Sequence, residues 1–164
     1  MKAKNVLKEL ARISILGRVS YAIVCLHSAS RELKVKSDQM SSILTHFNRF
    51  TESADLSKWE REMRTLLPED EGRLEGHGPD SKSVLFLDAL LWHVWDIAIG
   101  NIYSSRLTLD PFFSELLIMM EKRELSLPDP TPFQRFRQSW WKRGWGEPFP
   151  IEPLLKEMGF VTEL

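Results

Sequence analysis

A single cysteine, Cys25, is all the chain carries, so no internal disulfide can form and the fold must stand on packing. Cys25 sits in the apolar run Tyr21-Ala22-Ile23-Val24-Cys25-Leu26, and His27 lies on a different helical face, so the thiol reads as a small hydrophobe rather than a nucleophile. No uncharged stretch reaches the roughly 18 residues of a membrane span, and none is expected. Lys2, Lys4 and Lys8 have the look of a basic leader, but Glu9, Arg12 and Arg18 interrupt any apolar segment behind them. The expected compartment is therefore the cytoplasm. None of the four histidines, His27, His46, His77 and His93, has the spacing of a metal-binding helix, and there is no cysteine pair. Gly72, Gly76 and Gly78 are flanked by acids that would repel a phosphate. No Gly-x-Ser-x-Gly turn occurs, and no segment alternates in polarity as a strand would. Neither a metal nor a cofactor is expected.

What remains is an ordinary globular composition, 43% hydrophobic, 27% charged and 10% aromatic, over 164 residues. A chain of this length buries roughly 70% of its unfolded surface and can build a core unaided. One helical domain over 1–164 is expected, with an acidic loop at 68–81, a proline-rich connector at 126–132 and an aromatic-rich segment at 133–164. The net charge of −1 argues against a dedicated nucleic-acid binder. Its distribution is uneven: residues 1–36 carry a net +6 and residues 52–80 a net −5. Opposite poles can fold onto each other or steer a partner.

The periodicity predicts an all-α bundle of about five principal helices and two short C-terminal ones. The first spans 3–34, apolar nearly all round between Ile13 and Leu26, with Ser14, Gly17 and Ser20 as small residues that would admit a neighbouring helix. The second starts at Ser37 or Asp38 and the third at Asp55, each a good N-cap. Pro68 bars the third from continuing. The fourth spans 82–105 behind Asp80 or Ser81 and pairs with the first at the centre. Asp110-Pro111 opens the fifth, Thr131-Pro132 a short sixth, and a last turn over 150–158 closes at Gly159.

Three residue sets invite a functional reading. Glu60, Glu62, Glu69, Asp70, Glu71 and Glu75 crowd a helix end and the adjoining loop, where carboxylates would steer a basic protein partner. Arg135, Arg137, Trp140, Trp141, Lys142 and Arg143 interleave cations and rings, as interface hot spots and single-stranded nucleic-acid grooves both do. Asp88, His93 and Asp96 could supply acid–base chemistry on the fourth helix. A simpler account pairs Asp88 or Asp96 with Arg18, the one charge inside the first helix's apolar stretch.

The run Tyr21–Leu26, then Phe47-Asn48-Arg49-Phe50-Thr51-Glu52, Leu56, Trp59 and Leu67-Pro68-Glu69, resembles small all-helical bacterial proteins, some of them immunity proteins encoded beside polymorphic or contact-dependent toxins. The resemblance covers the first half of the chain. It implies a cytoplasmic protein that binds and blocks a toxin domain, and it assigns no role to a particular residue. The functional expectation is thus a protein-binding module of the immunity type. The alternatives are an adaptor that binds RNA or single-stranded DNA through the C-terminal segment, and a helical enzyme using Asp88, His93 and Asp96.

Overall fold

Residues 1–69, 74–75, 80–103, 111–136 and 144–160 are described by a computed structural model. Among them the chain forms α1 (Ala3–Leu10), α2 (Ile15–Glu32), α3 (Asp38–Asn48), a 3-10 turn (Arg49–Glu52), α4 (Leu56–Arg64), α5 (Ser81–Tyr103), α6 (Pro111–Lys122), a second 3-10 turn (Thr131–Arg135) and α7 (Glu152–Glu157). No strand occurs among the described residues. The all-α expectation holds.

The central pair is α2 and α5, with α6 against α5, α3 against α2 and α1 against α6. Every residue from Ile15 to Leu26 is buried, as an all-apolar circumference requires of a helix with neighbours on several sides. Among the described residues α5 alone is long and apolar enough to cross a membrane, and half of its most apolar window is buried in this core. Several caps follow the local sequence. Ser37 accepts the Met40 N–H and Asp55 the Lys58 N–H, while Asp80 accepts the Ser83 N–H ahead of α5. Behind α7, Gly159 (φ +77°) closes the helix in a left-handed turn: its N–H reaches the Lys156 carbonyl, and the Phe160 N–H reaches that of Leu155.

The first predicted helix is corrected. It is two helices, because α1 ends at its C-cap Ala11 and Ser14, in extended geometry, becomes the N-cap of α2, its Oγ accepting the Gly17 N–H at 3.1 Å. A helix that starts inside the core must find acceptors for its first N–H groups. They come from far along the chain: Ser14, Ile15 and Leu16 donate to the carbonyls of Phe136 (2.6 Å), Gly144 (2.8 Å) and Trp145 (3.0 Å). The small residues therefore admit the C-terminal segment rather than another helix. A Cβ on Gly17 would lie 2.9 Å from Phe136 Cβ, and one on Gly146, where φ is +86°, would lie 2.5 Å from Ser14 Oγ. Phe133, Ile151, Leu154 and Leu155 complete this side of the core.

Candidate functional site

The acidic set divides once its side chains are placed. Glu60 is buried, 7% exposed. Tyr103 at the end of α5 donates its hydroxyl to Glu60 Oε2, and Arg64, one turn along α4, donates from Nε (3.0 Å) and Nη2 (2.7 Å) to Oε1. These bonds, the tyrosine's foremost, hold the Glu60 carboxyl below the usual carboxylate range against the opposing effect of burial. Glu62 is half-buried and shared by Arg49 and Lys58 at 3.8 Å each. Glu69 and Glu75 are exposed. The strip at 74–75 is pinned between two helices: the Glu75 N–H donates to Gln39 Oε1 on α3, and the Leu74 N–H to Asp88 Oδ1 on α5. Asp70 and Glu71 lie outside the described residues.

Glu62 also opens onto a cleft of about 330 Å³ at the junction of the first 3-10 turn and α4. Glu52 and Asp55 line it with Glu62, opposed by Arg49 and Lys58, and Trp59 backs it. Asp55 is partly engaged as the α4 cap, whereas Glu52 has no ion-pair partner among the described residues. The backing is rigid. Trp59 Nε1–H donates to the His46 carbonyl and His46 Nε2 bonds the Trp59 carbonyl, both at 2.9 Å, with the two rings stacked. Phe50 meets the indole edge-on and Trp95 stacks on it. The 46/59 exchange fixes α4 against α3 and so fixes where the carboxylates point. The ion pairs of Glu60 and Glu62 are made with Arg49, Lys58 and Arg64, so the basic stretch 1–36 does not consume these acids.

Two of the three α5 residues have separate partners. Asp88 is buried and accepts the Leu74 N–H. His93 bonds the Ala89 carbonyl through Nδ1 and faces Glu115 of α6 through Nε2 at 3.5 Å, so neither nitrogen is directed at Asp96. Arg18 and Asp88 are buried, and Arg18, Asp88 and Asp96 are all engaged in polar interactions. No group of three His, Cys, Asp or Glu among the described residues could hold a metal.

In the basic aromatic segment, Arg135 pairs with Glu157 at 2.9 Å and lies over the Phe136 ring. Arg137, Trp140, Trp141, Lys142 and Arg143 lie outside the described residues. Their flanks are placed: Phe136 and Gly144 both dock at the start of α2, and Gln134 donates to the Glu9 carbonyl at the end of α1, beside Lys8 and Arg12.

No protein-family model matches the chain, and comparisons with curated proteins and with solved structures return no match. The residues that sequence reasoning missed are Glu52 and Arg49, brought to the cleft by the 3-10 turn. Their signal was faint. Asp55 was legible as a cap, and the cleft lies on the turn just before that cap.

Proposed function

We propose that the chain is a protein-binding module of the immunity type, acting in the cytoplasm by binding and neutralising a basic toxin domain. The observation that carries this reading is the cleft beside α4, where the carboxylates of Glu52, Asp55 and Glu62 sit on a backing locked by the His46–Trp59 exchange. A preorganised acidic recess takes a partner's lysine or arginine side chain with little ordering cost. The surplus of carboxylates speeds the approach of a basic surface. Of the acidic set, Glu62 lines this cleft, while the Glu75 N–H bonds Gln39 near the start of α3 and Glu60 is bonded by Arg64 and Tyr103.

The test is growth rescue. A toxin domain encoded beside this chain is expressed with and without it, and the wild type should restore growth where the Glu52→Lys/Glu62→Lys variant does not. The purified pair should associate more slowly when these charges are reversed, with the difference shrinking as salt is raised. Rescue by the reversed variant at wild-type level would remove the cleft from the reading, and absence of any rescue would remove the immunity role.

A second reading rests on a separate observation. Both flanks of 137–143 dock near Lys8 and Arg12, where α1 ends and α2 begins, and the segment's own sequence adds Arg137, Trp140, Trp141, Lys142 and Arg143. Such a collection suits single-stranded RNA or DNA. Binding of a labelled single-stranded oligonucleotide that is lost in Trp140→Ala/Trp141→Ala would favour it.

A further inference from the structure

At the opposite end of α2, a pocket of about 450 Å³ opens between that helix, α3 and the turn after α7. Its volume falls within the range of about 300–1,000 Å³ typical of small-molecule sites. Val35, Leu44 and Phe160 supply apolar lining, and Arg31, Lys34 and Lys36 supply charge; among the described residues no carboxylate lines it. Among the described residues none of the three cations has a carboxylate partner. Arg31 is held in place all the same. Its guanidinium lies 4.3 Å from the centre of the Phe160 ring, and Nη1 donates to the Gly159 carbonyl at 3.1 Å, leaving further N–H donors of the fork. The remaining titratable group of the lining, His27, bonds Asn48 Oδ1 through Nε2 at 3.0 Å.

We propose that this pocket binds an amphipathic carboxylate, a short fatty or aromatic acid whose apolar body rests on Val35, Leu44 and Phe160 and whose carboxylate meets Arg31, Lys34 and Lys36. The location raises one objection, because the carbonyl end of a helix carries about half a negative charge. Two facts outweigh it. The terminal carbonyls of Ala29, Ser30 and Arg31 are already occupied by the N–H groups of Leu33, Val35 and Lys34. Three full positive charges also exceed that partial one. Charge selects the anion, and the apolar lining selects a ligand with a hydrocarbon body over an inorganic ion. The site is independent of the α4 cleft.

Octanoate is the probe, with octanol as its uncharged counterpart. Calorimetry on the full chain should show one site with a dissociation constant near or below about 1 mM. Amide resonances of Val35, Leu44, Gly159 and Phe160 should shift, and octanol should bind at least tenfold more weakly. Lys34→Glu/Lys36→Glu should weaken octanoate at least tenfold while its thermal unfolding stays cooperative. Lys36→Glu alone, should the double variant fail to fold, should weaken octanoate several-fold. Equal binding of octanol, or unchanged binding in both variants, would overturn the proposal. Octanoate that binds only once residues 161–164 are removed would assign the pocket to the chain's own end and overturn it equally.

Discussion

Lys34 and Glu124 hold a backbone conformation that side chains resist, with φ of +54° and +60°. Each is the residue after a helix C-cap, and in each the following N–H closes the turn: Val35 onto Ser30 and Leu125 onto Met120. Glycine would sit there without the Cβ penalty. Glu124→Gly should therefore raise the free energy of unfolding by roughly 0.5–1 kcal/mol, measurable in urea, and Lys34→Gly should do the same. A titration effect belongs to the same scale. Burial pushes the His27 imidazole below its ordinary 6.5, opposed in part by the Asn48 hydrogen bond. As pH falls the unfolded chain takes up that proton first, so the contribution of His27 to stability is fully present above 6.5 and is lost as pH drops toward the folded-state value. Unfolding at about pH 5.5 should need less urea than at about pH 7.5, and His27→Gln should flatten the difference. The Glu60 contribution lies in a separate window. Its carboxyl is depressed from 4.5, so its stabilisation is present above that pH and fades as pH falls through the folded-state value.

Helix starts that depend on their own few residues could be read in advance. Ser37, Asp55 and Asp80 each satisfy an N–H three residues on, and Gly159 closes α7, all within one turn. The break before α2 could not be read, because Ala11, Arg12 and Ile13 keep the helical pattern while the acceptors that stop it lie beyond residue 135. The acidic site divides in the same way. The pairing of Glu60 with Arg64 is a local i, i+4 relation, but the hydroxyl that meets its other oxygen comes from Tyr103, 43 residues away. Two outcomes follow for these elements. Ser14→Ala should cost about 1–2 kcal/mol of stability, since it leaves the buried Gly17 N–H without its acceptor. Tyr103→Phe should raise the Glu60 pKa, read by carboxyl NMR, because the leading hydrogen bond that depresses it is gone.

Across the molecule, Ile151, Leu154, Leu155 and Phe160 belong to the core and Phe136, Gly144 and Trp145 to the α2 cap, so a chain ending at Arg135 should lose cooperative thermal unfolding. Gly146→Ala tests the same docking more gently. It sets a Cβ against Ser14 at a positive φ and should cost at least ~2 kcal/mol, seen as a lowered melting temperature. The partners that finish α2 lie 122 to 129 residues downstream of it. Contacts so distant in sequence are slow to form, because a long loop must close before they offset its entropy. During translation α2 thus leaves the ribosome well before Phe136, Gly144 and Trp145, the residues whose carbonyls receive the N–H groups at its start. Until then its apolar circumference is exposed, and a chaperone that holds nascent chains would find its preferred surface in residues 15–26.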